Sequence, residues 1–226
     1  MNSYIEWKAW RPDSFAKPTR HESAYFLKLM KLVKLKPLSR ALEIGFGNGS
    51  FLGFARNQGL DIDGVELIPE LVNLAKENGY KAHCSIDDIK KDEYDLIVMF
   101  DVLEHIDSDL IINELIKLKD LLATNGKILI RTPNGASPFG LANQHGDITH
   151  ITIVTESKVA YWAKESGLRL TSTHIDPFPF IWKHKLTKAP SKILKFLTYK
   201  SFEKLIRFIS PQSKGILSSN ILFVLE

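Results

Sequence analysis

Hydrophobic and polar positions along this chain alternate between two spacings. Short, nearly continuous apolar runs (Ala41–Ile44, Asp61–Leu67, Lys81–Cys84, Tyr94–Phe100, Gly126–Asn134) are separated by stretches whose apolar residues recur every three or four positions. Runs this short suit strands buried on both faces, and the longer spacing suits amphipathic helices. Their alternation predicts an α/β fold, a mostly parallel sheet with helices on both faces. Helices are predicted over Ser23–Lys34, Phe51–Gln58, Asp109–Leu122 and Thr155–Ser166. Pro37 and Gly59 end the first two, Asp107 or Ser108 caps the third, and the fourth runs from a Thr155 cap to Gly167. Pro69 opens another helix after the second strand, where its missing N–H leaves nothing unpaired. Leu168–Ile175 and Ile221–Leu225 complete seven strands.

The pattern reads as one domain in four parts. Residues 1–39 form an N-terminal helical arm with Trp7, Trp10 and Phe15 set among charges, and residues 40–175 form the core. Residues 176–220 are an insertion, long for a connection between strands, and residues 221–226 are the last strand. Within the insertion, Pro190–Leu197 and Phe202–Ile209 carry apolar residues at helical spacing beside Lys192, Lys195, Lys200, Lys204 and Arg207. A chain of 226 residues has room for a sizeable single core.

Composition narrows the class. A single cysteine, Cys84, excludes an internal disulfide framework and fits a reducing cytoplasm. No apolar run reaches the length of about 18 residues that a membrane span needs, and Met1–Glu6 lacks the basic-then-apolar order of a secretory signal. The net charge of +4 is unevenly spread: from Pro177 to Lys214, eight lysines and one arginine face one acid, a net +8 that leaves −4 elsewhere. An anionic partner is therefore expected for that segment alone.

Chemistry concentrates around Ala41-Leu42-Glu43-Ile44-Gly45-Phe46-Gly47-Asn48-Gly49-Ser50. An apolar strand ends beside an acid, and three alternate glycines then let the backbone turn and a ligand approach it closely. The helix that follows presents its free N–H groups to the same place. The dinucleotide fingerprint needs its third glycine one residue later than Gly49, where Ser50 stands, and Glu43 suits a cationic ligand better than a pyrophosphate. Glu66, 17 residues after Gly49, ends the next strand, where an acid can accept both hydroxyls of a ribose.

Glu43-Ile44-Gly45-Phe46-Gly47-Asn48-Gly49 resembles the first motif of class I S-adenosylmethionine-dependent methyltransferases. Asp101-Val102-Leu103-Glu104-His105 resembles the segment after the fourth strand in ubiquinone-biosynthesis-type and sugar or natural-product O-methyltransferases. The resemblance covers roughly residues 40–175 and the last strand. It implies a Rossmann-like sheet and S-adenosylmethionine as cofactor, with S-adenosylhomocysteine as product. Glu43, Gly45, Phe46, Gly47 and Gly49 would form its turn, Glu66 would take the ribose, and Leu67 with Ile68 would offer the adenine an apolar edge. The family's acid for the adenine amino group falls on Ser85 here, so that contact rests with Ser85, the Ile86 backbone or Asp87. Phe100 and Asp101 would flank the cofactor, and Arg20 on the arm is either a surface charge or a partner for its carboxylate.

For a hydroxyl acceptor, His105 and His150 are the candidate bases and His145 a weaker third, with Glu104 beside them. Asn143–His150 is expected as a polar loop that brings His150 back to the acceptor. No metal is expected; the set a divalent cation would use by resemblance is Asp101, Glu104, His105 and His150, with Asp101 replacing the usual glutamate. The expected activity is O-methylation of a small-molecule or glycan-type acceptor (a sugar, or a lipid- or nucleotide-linked saccharide), anionic where it meets the insertion. The rivals are a quinone-ring O-methyltransferase at the membrane surface, an RNA methyltransferase, and a cofactor-binding module without catalysis. The expected setting is cytoplasmic, with peripheral membrane contact through residues 183–209 as an option and nucleic acid disfavoured as partner.

Overall fold

The computed structural model describes residues 3–89, 93–176 and 217–226, together with positions 197, 198, 201, 202, 204, 205, 208 and 209. The chain begins with α1 (Ser3–Trp7), a single 3-10 turn and α2 (Arg20–Val33). Then follow β1 (Arg40–Ile44), α3 (Ser50–Asn57), β2 (Asp61–Val65), α4 (Pro69–Glu77), β3 (Lys81–His83) and β4 (Tyr94–Phe100). The second half contains α5 (Ile111–Asp120), β5 (Leu122–Pro133), α6 (Leu141–Gly146), α7 (Glu156–Glu165), β6 (Leu170–Ile175) and β7 (Asn220–Leu225).

The seven strands form one sheet in the order β3-β2-β1-β4-β5-β7-β6. β7 runs antiparallel to both its neighbours, and the pairings among β1 to β5 are all parallel. The winding direction reverses between β1 and β4, so the chain leaves these adjacent strands toward opposite sides and opens a crevice at their carboxyl ends. On one face, α2, α3 and α4 bury Phe26, Leu29, Phe51, Phe54 and Leu71; on the other, α5 and α7 bury Ile111, Leu115, Leu118, Val159 and Trp162. An aromatic cluster seats α2: Phe26 lies 5.2 Å from Phe51 and 5.8 Å from Phe100, ring centre to ring centre. These rings form part of the crevice wall.

Several boundaries differ from the sequence expectation. α2 starts three residues earlier because Thr19 and Glu22 form a reciprocal capping box, the Thr19 N–H donating to Glu22 at 2.7 Å and the Glu22 N–H to the Thr19 hydroxyl at 3.2 Å. α5 starts at Ile111, and neither Asp107 nor Ser108 caps it; Asp107 instead accepts the Asp109 N–H at 3.0 Å and turns the loop. β5 starts at Leu122 rather than Gly126, because a register shift between Tyr94 and Leu96 accommodates the extra length. The stretch Asn143–His150 is not a loop throughout: Asn143–Gly146 belong to α6, where Gln144 is buried while Asn143 and His145 are exposed. Of the two helices expected in the insertion, Pro190–Leu197 lies outside the described residues except for Leu197. The described positions within Phe202–Ile209 are helical, and Phe208 and Ile209 are well exposed. The rest of the basic segment 183–209, apart from Thr198 and Ser201, also lies outside the described residues. No helix among the described residues is long and apolar enough to cross a membrane.

Candidate active site

The turn after β1 is built by its glycines. Gly45, Gly47 and Gly49 all hold positive φ, at 70°, 50° and 69°, a region costly for residues with a Cβ. The Gly45 N–H donates to the Val65 carbonyl at 2.8 Å, fastening the turn to the end of β2. Trp10 of the arm lies over the turn, close enough that a Cβ on Gly47 would stand 2.7 Å from its ring. Gly49 is the N-cap of α3 and backs onto Phe15, so it shapes the turn from behind and does not line the cleft.

The turn opens into a cleft of about 1270 Å³ at the carboxyl ends of the strands. All other expected cofactor residues line it: Glu43, Gly45, Phe46, Gly47, Glu66, Leu67, Ser85, Ile86, Asp87, Phe100 and Asp101. Glu43 is buried, and burial pushes its carboxyl well above the usual range, with Glu66 adding to the effect. Its Oε2 has no hydrogen-bond partner among the described residues, so the site keeps a buried acceptor for a donor or cation. Glu66 is fixed by two backbone donors, Gly47 N–H to Oε2 at 3.0 Å and Ile68 N–H to Oε1 at 3.1 Å. Each oxygen retains a lone pair for a hydroxyl. At the far side, the Ser85 hydroxyl accepts the Asp87 N–H at 3.1 Å while Asp87 pairs with Lys117 at 3.1 Å.

Asp101 follows β4 at φ 56°, and Arg131 at the end of β5 clamps its carboxylate, Nε to Oδ1 at 3.0 Å and the other nitrogen to Oδ2. Arg131 also donates to the Tyr25 hydroxyl at 3.3 Å. Burial raises that phenol above its ordinary range against the lowering pull of Arg131. The arginine at the cleft is thus Arg131; Arg20 is exposed at the start of α2 and does not line the cleft. Sequence reasoning missed Arg131, Tyr25, Lys8, Asp147 and Thr149. Arg131 alone left a signal, a lone charge closing the apolar run Ile128–Ile130.

Glu104 and His105 sit on a 3-10 turn after β4, and His150 arrives from the loop after α6. The two loops are laced by the Glu104 carbonyl, which accepts the N–H groups of Ile151 and Thr152, both at 3.0 Å. The imidazoles of His105 and His150 consequently meet edge to face, 4.6 Å between centres. Glu104 is fully buried, and burial together with Asp101 pushes its carboxyl to about 8, so it is neutral at pH 7. Burial and then the neighbouring His150 pull His105 below the ordinary histidine value. Thr149 Oγ1 lies 3.0 Å from His105 Nδ1, and the Gln144 carbonyl lies 3.1 Å from His150 Nδ1. Asp147 accepts from Lys8 at 2.9 Å. Its burial would raise its pKa, but the hydrogen bonds from Thr149 and Lys8 outweigh this and hold it well below the carboxylate range.

Of the four residues set aside for a divalent cation, three converge: one donor atom each from Glu104, His105 and His150 lie within 4.8 Å of one another. Asp101 does not join them, its carboxylate being committed to Arg131. Chemically, the cleft combines a cradle for a polyhydroxylated cation with two imidazoles, those of His105 and His150, that can take a proton.

A family model described as a methyltransferase domain matches residues 19–173. Among solved structures, an S-adenosylmethionine-dependent methyltransferase from Archaeoglobus fulgidus superposes with a TM-score of 0.68 at 17% identity, covering 100% of this chain and 99% of that one. The cyclopropane synthase MmaA2 from Mycobacterium tuberculosis gives a TM-score of 0.59 at 16% identity, covering 92% of this chain and 86% of that one. The mycolic acid cyclopropane synthase CmaA1, complexed with SAH and CTAB, gives 0.60 at 14% identity, covering 91% of this chain and 84% of that one. No curated protein sequence matches.

Proposed function

This chain belongs to the class I S-adenosylmethionine-dependent methyltransferases, and on that premise we propose that it methylates an oxygen of a small-molecule or glycan-type acceptor. The bound cofactor supplies a methyl carbon made electrophilic by its sulfonium. Glu43, with its unpartnered Oε2, faces the cationic end of such a ligand, and Glu66 takes the ribose hydroxyls. Ile86, Leu67 and Ser85 line the part of the cleft left for the adenine. Trp10 covers the turn from above.

The acceptor's O–H proton passes to a histidine, its bonding pair stays on oxygen, and that oxygen forms the new bond to the methyl carbon. The carbon–sulfur pair leaves on sulfur, giving S-adenosylhomocysteine, and the imidazolium later returns its proton to solvent. Proton removal of this kind is worth ~10²–10⁴-fold in rate. Glu104 is uncharged at pH 7 and leaves the imidazoles as the bases, while adding no negative charge beside the incoming oxygen. The observation that carries the reading is the pair of imidazoles, edge to face, on the same cleft as the glycine turn and Glu66.

The test is transfer of tritiated methyl by the purified protein to extract fractions separated into lipid, glycan and nucleic acid. Label in a glycan or lipid-linked saccharide supports the reading. Label in nucleic acid, with binding that falls steeply as salt rises, overturns it in favour of an RNA acceptor. Failure of equilibrium dialysis to show cofactor uptake leaves only a fold without chemistry. One observation favours a second reading, an acceptor presented at a membrane, such as a quinone ring. Phe208 is 84% and Ile209 71% exposed, within a segment of net charge +8. Label confined to a prenylated lipid would select it.

A further inference from the structure

Histidine 105 lies in a hydrogen-bonded chain whose proton positions follow from elementary valence. Asp147 is an ionised carboxylate and only accepts; Lys8 donates to its Oδ2 at 2.9 Å, and the Thr149 hydroxyl lies 2.5 Å from its Oδ1. A hydroxyl has one hydrogen, and here it points to the carboxylate. The lone pairs of Thr149 Oγ1 are what remain for His105 Nδ1, 3.0 Å away. The Thr149 carbonyl, 3.2 Å from the same nitrogen, also only accepts. Two acceptors therefore face Nδ1, and the hydrogen must lie on that nitrogen.

We propose that Thr149 and Asp147 are positioning residues that hold His105 as its Nδ1–H tautomer, leaving the Nε2 lone pair as the atom that receives the acceptor's proton. The proposal rests on the reading of His105 as base and adds which nitrogen acts and what sets it. Without the relay, an imidazole in water exchanges freely between tautomers, and one form offers the wrong nitrogen. Asp147 acts through Thr149: with the carboxylate gone, the hydroxyl hydrogen is free to turn toward Nδ1 and drive the proton to Nε2. Lys8 belongs to the arm whose Trp10 lies over Gly47, so the same segment that covers the cofactor turn also holds the far end of the relay.

The experiment is ¹⁵N-edited NMR of the full-length protein with labelled histidine at a pH where His105 is neutral. In the wild type, His105 Nδ1 is expected to show the protonated signature and Nε2 the unprotonated one. In Asp147→Ala and Thr149→Val the Nε2–H form should grow, and Thr149→Ser should restore the wild-type spectrum. With the labelled acceptor fraction, Thr149→Val should lower kcat ~10-fold or more with KM for the cofactor unchanged, and Thr149→Ser should recover it. A wild-type His105 found mainly as Nε2–H overturns the proposal, as does a Thr149→Val spectrum identical to wild type. If the tautomer signature holds but His105→Ala leaves methyl transfer intact, the relay stands and the assignment of His105 as base falls.

Discussion

The Gly47 N–H donates to Glu66 Oε2 at 3.0 Å, joining the glycine turn after β1 to the acid that ends β2. The Ile68 N–H holds the other carboxylate oxygen at 3.1 Å. Glu66 therefore reaches the cleft already oriented, and under the proposed reading a ribose need not order it. Glu66→Gln retains the shape but turns one acceptor into a donor, which must face one of the two backbone N–H groups. A buried donor left without a partner costs ~1–3 kcal/mol, so the affinity for S-adenosylmethionine measured by calorimetry should fall about 10-fold or more. Glu66→Ala should be at least as damaging. An unchanged dissociation constant in both would remove Glu66 from the cofactor site.

Gly47→Val tests the turn itself. At φ 50° a β-branched residue is strained, and its Cβ would meet the Trp10 ring at 2.7 Å. Left-handed backbone costs ~1–2 kcal/mol for a residue with a Cβ, and the ring must move as well. Cofactor binding should be lost while the far-UV circular dichroism spectrum stays that of the wild type. Retained binding would show that ligand and glycine do not meet.

The arm offers a test whose sign is decided in advance. Gly53 lies inside α3, where alanine would ordinarily stabilise by ~1 kcal/mol. Here a Cβ would stand 1.9 Å from the carbonyl oxygen of Ala16, because the arm is seated on that helix. Gly53→Ala should therefore lower the melting temperature, and should weaken cofactor binding by loosening the Trp10 cover. A higher melting temperature would mean that the arm does not rest there.

How legible this was from the sequence follows from the range of each interaction. The alternation of strands and helices, the glycine turn and Glu66 are local patterns, a burial period or a fixed spacing, and they are found where the residues put them. The methyltransferase family follows from those same residues. The α2 cap was equally local, written in Thr19 and Glu22, and was passed over. Arg131, Tyr25 and the Lys8–Asp147 pair are different in kind. Their partners lie 106 and 139 residues apart in sequence, and only the winding of the sheet brings them together. The Asn143–Gly146 helix gives no apolar period to read: its residues are polar or glycine, and only Gln144 turns inward.

Glu104 gives the protein a pH dependence of definite sign. Its carboxyl is fully buried, and burial, then the charge of Asp101, raise it to about 8. In the unfolded chain it titrates near the ordinary value of ~4.3. Between these two values the folded protein holds a proton that the unfolded chain has released. Stability is therefore greatest below the lower value, declines as pH rises through the window, and levels off above about 8. Glu43, also raised by burial, adds to this fall, whereas Asp147, His105 and His174 work the other way. The depressed carboxyl of Asp147 loses its contribution only in acid, and the lowered imidazoles act below the ordinary histidine value of ~6.5. Urea melts of the wild type should show a midpoint that falls from about pH 6.5 to 9, by an amount on the order of a few kcal/mol in free energy. Glu104→Gln, isosteric with the neutral acid, should match the wild type near pH 5 and surpass it at pH 9. If the variant's midpoint instead fell in parallel with the wild type's, the slope would belong to another group, and Glu104 would be ionised in the folded protein beside the two histidines.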